Sequence, residues 1–269
     1  MKTRLITALV GIPFLIFVLV VRGLLAEGLI VALSLIGLME YYGALRKAGY
    51  QVCPWGGYAA VAVMWPLHWF MKGLDPLLLV LFTMGITLAG VLLGKEPKFP
   101  DAAASVYPLF TCLLPMSMFM MMLNADFGLV PGIALITMSF GIAYGCDAAA
   151  YFGGRCFGRH KLCPTVSPKK TVEGAVCGLA GSVLVSLCVR LFFIRVLSQP
   201  MPGIPATILL GLLGSVAGQV GDLTASLLKR YSGIKDYGNI FPGHGGVMDR
   251  FDSNIFVLIV LYCYTLVLH

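Results

Sequence analysis

The sequence predicts an all-α, polytopic integral membrane protein of about nine transmembrane helices, and three observations carry that prediction. Of 269 residues, 59% are hydrophobic and 12% charged, against roughly 25% charged in a soluble domain, and the mean hydropathy is +0.91. The apolar residues gather into successive runs close to the ~20 residues that cross a hydrocarbon core. Backbone in lipid must satisfy its own hydrogen bonds, which for runs of this length means helices.

The runs fall at Leu5 to Val21, Leu24 to Gly43, Trp55 to Met71, Leu77 to Leu93, Ala102 to Met122, Leu129 to Phe152, Val172 to Ile194, Pro205 to Leu228 and Phe251 to Leu268. With the N-terminus inside, only Arg22, Lys72, Arg190 and Arg195 of the nineteen Lys and Arg lie outside, and the other fifteen mark the inner face as cytoplasmic. The formal charge of +7 thus belongs to one face, suited to lipid headgroups or nucleotide phosphates. No helix-turn-helix, zinc-finger or aromatic-platform pattern occurs, so nucleic acid is not an expected partner.

Met1 to Arg4 and the run after them read as an uncleaved first span, because removal at Leu25-Ala26 would break the charge alternation. The eight cysteines contain no C-x-x-C pair and read as free, small apolar side chains. The expected organisation is one membrane domain. Residues 1–128 form a scaffold with lipid contacts, and residues 129–269 form the catalytic helices and cytoplasmic loops.

The first five spans say little about chemistry. Glu40, beside Tyr41 and Tyr42, reads first as an interfacial carboxylate next to an aromatic belt and second as a brace for a site or a headgroup contact. The methionines of residues 116–122 read as adaptable packing against lipid or an acyl chain. The later spans differ. Gly141 and Gly145, Gly174 and Gly178, and Gly214 and Gly218 have the small-x-x-x-small spacing that lets helices approach closely. Span parity places Asp147, Glu173, Asp222, Asp249 and Asp252 at the cytoplasmic interface. For Asp147 and Glu173, pairing with nearby Arg or Lys and a functional role are equally open. Asp222 and Asp249 read as ligands of magnesium, a hard cation that takes oxygen donors.

The most polar stretch runs from Ser226 to Asp252, SLLKRYSGIKDYGNIFPGHGGVMDRFD. Its glycines and Pro242 keep much of it out of helix, so that backbone N–H groups can face an anion beside the fixed charges. A plain solvated loop would need neither its paired Asp nor a PGHGG turn. Just before the loop, Asp222, Ser226, Lys229 and Arg230 stand at i, i+4, i+7 and i+8, one helix face offering a metal ligand, a hydroxyl and two cations. His244 is either a phosphate donor or acid, or a brace for the turn. There is no H-E-x-x-H, G-x-S-x-G or Walker-type G-x-x-x-x-G-K-[ST], so a nucleotide must be held without a P-loop.

These residues also carry a resemblance. S-x-x-K-R, K-D, P-G-H-G-G and D-R-x-D follow one another here as in the phosphatidate cytidylyltransferase (CDP-diacylglycerol synthase) family. Upstream, DAAAYFGGRCFGRHKLCPTVSPKKTVEG from Asp147 to Gly174 resembles the same family. The departures are Ala149, where many members carry Gly, and Ala225, where many carry Glu. The resemblance implies transfer of a cytidylyl group from CTP to phosphatidic acid, with magnesium as cofactor and a second cation left open. On that reading Asp222 and Asp249 hold the metal, with Asp252 and Asp147 as second choices. Lys169, Lys170, Lys229, Arg230, Lys235 and Arg250 hold phosphates, and Ser226, His244, Gly245, Gly246 and Arg155 complete the substrate site. The residues alone leave a CTP-dependent lipid kinase and a secondary transporter open, although carboxylates at one face do not suit a midplane carrier site. Whether two copies pair as a homodimer is also open.

Overall fold

The computed structural model describes residues 21, 23–70, 76–127, 130–241, 243 and 245–267. Apart from Val21, the first expected span lies outside them. The second to fourth spans correspond to α1 (Gly23–Lys47), α2 (Trp55–Phe70) and α3 (Pro76–Leu92). The fifth is α4 (Phe99–Pro108), a π turn (Leu109–Leu113) and α5 (Leu114–Asn124) in unbroken succession. Pro108 has no N–H to give the helical ladder, and the wider turn follows directly after it. The remaining spans are α6 (Gly132–Phe157), α7 (Val172–Arg195), α8 (Ile204–Tyr231) and, beyond a short α9 (Met248–Phe251), α10 (Asn254–Val267). Among the described residues, five helical stretches are long and apolar enough to cross a membrane: Gly23–Lys47, Phe99–Leu123, Gly132–Phe157, Val172–Arg195 and Ile204–Tyr231. The all-α polytopic membrane fold is the expected one.

Among the described residues, two small antiparallel strand pairs interrupt the helices, which the sequence reading did not anticipate. One pairs β1 (Asp126–Phe127) with β2 (Val130–Pro131), and the other pairs β3 (Lys161–Cys163) with β4 (Ser167–Thr171). Pro168 disfavours helix at the residue before it, and the polar SPKKT run settles as strand. Thr171 then caps α7, its hydroxyl accepting the Gly174 N–H at 3.1 Å.

The chain separates into two compact units. The first comprises the described residues up to Met121 together with Leu228–Phe251, and the second Met122–Leu227 together with the described residues from Asp252. In the first unit the expected aromatic belt is core instead: Glu40, Tyr41 and Tyr42 are 8%, 1% and 0% exposed. Tyr41 meets Tyr107 and Tyr237 edge-on, with ring centroids 5.8 and 5.1 Å apart. The Tyr42 hydroxyl donates to the Ser105 carbonyl at 3.3 Å. Aromatic area gains more here than at an interface, because the phenol can still find a partner. Met116, Met118 and Met120 are likewise buried inside the protein rather than turned to lipid. Glu27, which the sequence reading passed over, is buried in α1 and accepts the indole N–H groups of Trp65 and Trp69 at 2.9 and 2.8 Å.

In the second unit the small residues do what their spacing predicts. A Cβ at Gly145 would stand 2.8 Å from Val185, one at Gly178 2.9 Å from the Cys146 Sγ, and one at Gly174 2.8 Å from the Ala150 carbonyl oxygen. α6 and α7 therefore pack nearly backbone to backbone. Gly214 and Gly218 give α8 the same access to Val257 of α10. Both departures from the family pattern belong to this packing: the Ala149 Cβ abuts Gly181, and Ala225 is buried in α8.

Candidate functional site

In the second unit, α8 supplies Asp222 and β4 supplies Lys170. Along β4, successive side chains alternate sides, leaving Lys169 exposed and Lys170 half-buried. The Lys170 Nζ reaches the Asp222 carboxylate in an ion pair. One helical turn on, the Ser226 hydroxyl donates to the other oxygen, Oδ1, at 3.3 Å. The unbroken α8 keeps Asp222, Ser226, Lys229 and Arg230 in the register read from the sequence.

Glu173, one of the five acidic residues expected together, is committed elsewhere. Its carboxylate accepts the backbone N–H groups of Arg159 and His160 at 3.0 and 3.2 Å and meets His160 Nδ1 at 2.6 Å. It ties the loop after α6 to the start of α7, held by backbone amides and a histidine ring rather than by the Arg or Lys side chain considered as its partner. Asp147 and Arg155 are exposed on α6, and Asp252 accepts the Ser253 N–H at 2.9 Å. Among the described residues, no three His, Cys, Asp or Glu side chains are grouped to hold a metal ion.

In the first unit, Asp249 is the second residue of α9 and is held from three directions. Its Oδ1 accepts Lys229 Nζ at 2.9 Å, and its Oδ2 accepts the backbone N–H groups of Tyr237 at 2.7 Å and Gly246 at 2.9 Å. The pair is nearly dry, with side-chain exposures of 15% for Lys229 and 3% for Asp249, so its charge-assisted bonds are little weakened by water. Lys229 also lies 5.3 Å from the centre of the Tyr237 ring, a cation–π contact. Phe241 N–H closes the glycine turn on the Gly245 carbonyl at 2.9 Å. Gly245 has φ +85°, and a Cβ there would stand 2.7 Å from the Asp249 Oδ2, so glycine is required twice over. Lys235, Asp236 and Arg250 project to the exterior, as does Arg230. His244 and Pro242 lie outside the described residues.

Glu40, read first as an interfacial carboxylate and second as a brace, follows the second reading, and Asn254 was not singled out. Glu40 accepts the backbone N–H groups of Val247 and Met248 at 3.0 and 2.8 Å. A carboxylate six residues before Arg46, near the charged end of a largely apolar helix, was the available signal, but its partner lies 207 residues away. Asn254, at 1% exposure, has neither side-chain polar atom hydrogen-bonded; its carbonyl is a further hard oxygen two residues from Asp252. Beside Glu40, an open cavity of about 290 Å³ is lined by Ile36, Met39, Ile234, Ile240, Tyr237 and Lys47, among others.

A profile described as the Cytidylyltransferase family matches residues 2–268. The chain belongs to the cytidylyltransferase family. It is similar to the phosphatidate cytidylyltransferase of Bacillus subtilis (strain 168), with 32% identity over 270 residues that cover 97% of this chain and 96% of that protein. It is also similar to the phosphatidate cytidylyltransferases of Staphylococcus haemolyticus (strain JCSC1435) and Staphylococcus aureus (strain COL). Each is 45% identical, over 130 and 132 residues respectively, covering 48% of both partners. In this cytidylyltransferase, two lysines assigned to phosphates therefore meet the two aspartates assigned to metal, Lys170 with Asp222 and Lys229 with Asp249.

Proposed function

We propose that this chain transfers the cytidylyl group of CTP to phosphatidic acid, giving CDP-diacylglycerol and pyrophosphate. The observation that carries the reading is the full-length similarity to a phosphatidate cytidylyltransferase, together with the Lys229–Asp249 pair inside the signature stretch. A phosphate oxygen of the lipid attacks the α phosphorus in line. The bond from that phosphorus to the α–β bridging oxygen breaks, and pyrophosphate leaves with the electron pair. No side-chain nucleophile is needed.

Both reactants are anions, so their approach requires concentrated positive charge. Lys169, Lys170, Lys229, Arg230, Lys235 and Arg250 supply it, with Arg155, Ser226, His244, Gly245 and Gly246 completing the substrate site. The donor set is hard oxygen throughout, which fits magnesium. Asp222 and Asp249 would hold it, with Asp252 and Asp147 as further ligands, and when bound it neutralises triphosphate charge as a Lewis acid. The apolar cavity with Lys47 on its wall suits a lipid with an anionic head.

Purified protein given phosphatidic acid, magnesium and CTP radiolabelled at the α or the γ phosphate tests the reaction. Label from the α position is expected in the lipid, and label from the γ position in pyrophosphate; omitting phosphatidic acid should stop pyrophosphate release. The reverse labelling would make the protein a lipid kinase.

In our reading the site faces the cytoplasm, as the excess of basic residues on one set of loops supports. Cys156 and Cys163, near the end of α6 and in β3, are then cytoplasmic. Single-cysteine variants at these positions should resist a membrane-impermeant thiol reagent in intact cells and react after permeabilisation. Labelling in intact cells would reverse the topology and put the site on the wrong side for CTP.

A further inference from the structure

We propose that Glu40 is a positioning residue for the reaction, holding the backbone from Gly246 to Met248 so that Asp249 is presented in one geometry. The inference rests on Asp249 being part of the reacting site. Glu40 comes from α1, far in sequence from every signature motif, yet its two oxygens each accept one of the consecutive N–H groups of Val247 and Met248, at 3.0 and 2.8 Å. Those groups lead directly into α9, whose second residue is Asp249. A carboxylate at 8% exposure is expensive to bury unless such donors compensate it, and two charge-assisted bonds to adjacent amides fix both position and direction of the backbone.

The glycines around it point the same way. Gly246 has no positive φ; what excludes a side chain there is Glu40 itself, since a Cβ would run into its Oε1 and stand 2.5 Å from its Cδ. A Cβ at Gly238 would meet the same Oε1. The neighbours of these glycines, Tyr237 and Val247, are in turn bonded to Asp249 and to Glu40. Gly246 also donates its own N–H to Asp249. One carboxylate, Glu40, thus sets the backbone that grips the other.

The test compares Glu40→Gln, Glu40→Ala and Asp249→Asn in detergent-purified enzyme, with rates referred to the folded, monodisperse fraction. Glu40→Ala removes both acceptors and should lower kcat by about a hundredfold, the scale of a small misplacement of reacting groups, with KM for CTP within about twofold of wild type. Glu40→Gln keeps one carbonyl oxygen at the same reach but must turn its NH₂ toward the other N–H, so it should recover only part of the loss. Hydrogen exchange in peptides covering residues 246–249 should quicken in the Ala variant. Wild-type kcat in Glu40→Ala, or exchange unchanged there, would overturn the proposal, as would a loss confined to the yield of folded protein. Near-normal turnover in Asp249→Asn would instead remove the reading beneath it, and the exchange measurement would still report whether Glu40 holds the segment.

Discussion

Asp249→Asn and Asp222→Asn should each lower turnover by at least about a thousandfold, roughly 4 kcal/mol of transition-state stabilisation, while the protein stays folded and membrane-inserted. The expectation for Asp249 follows from its donors. Its two oxygens face Lys229 on one side and the Tyr237 and Gly246 amides on the other. An asparagine must turn its NH₂ toward one of these donors, whichever way it is oriented. The side chain is 3% exposed, so water cannot relieve the mismatch. At Asp222 the change removes the charge that pairs with Lys170, and at both positions it removes the carboxylate proposed for magnesium. Initial rates at ordinary magnesium concentration, with membrane fractionation as the folding control, decide the matter. Near-normal activity in both variants would end the assignment.

Lys229→Ala should cost at least about a hundredfold in rate, and its combination with Asp249→Asn should be little worse than Asp249→Asn alone. Removing one member of a buried pair leaves the other charge uncompensated, typically at 3–5 kcal/mol. Here the remaining carboxylate keeps only its two backbone donors. Groups that act as one unit lose their joint function once, so the two losses should not multiply. Multiplying losses would mean that Lys229 and Asp249 contribute independently, Lys229 acting through phosphate alone. A thermal midpoint for each variant separates this from simple unfolding.

Much of the candidate site's local geometry was legible because helical spacing and turn chemistry are local. Asp222, Ser226, Lys229 and Arg230 needed only helical spacing to be placed on one face, and α8 runs through all four. The PGHGG turn announced itself through residues that helices avoid, and the G-x-x-x-G pairs announced close helix approach, which the contacts of Gly145, Gly174 and Gly178 show. The misjudged residues depended on partners distant in sequence. Tyr41 and Tyr42 look the same on paper at a membrane interface and in a core, and only packing against Tyr107, Tyr237 and Tyr58 distinguishes the two. For Glu173, whose role the sequence left open, the Arg159 and His160 amides take its oxygens.

Composition and the lengths of the apolar runs by themselves determined that this is an all-α membrane protein, because lipid permits few ways to satisfy a backbone. Spacing along the chain determined which acidic and basic residues share a helix face. Only the tertiary structure decided which charges pair, that SPKKT is a strand presenting Lys170 to Asp222, and that Glu40 belongs with Val247 and Met248. The physical reason is range. Periodicity and turn chemistry act between near neighbours, whereas a buried carboxylate is satisfied by whichever donors the fold delivers to it, however far away in sequence they began.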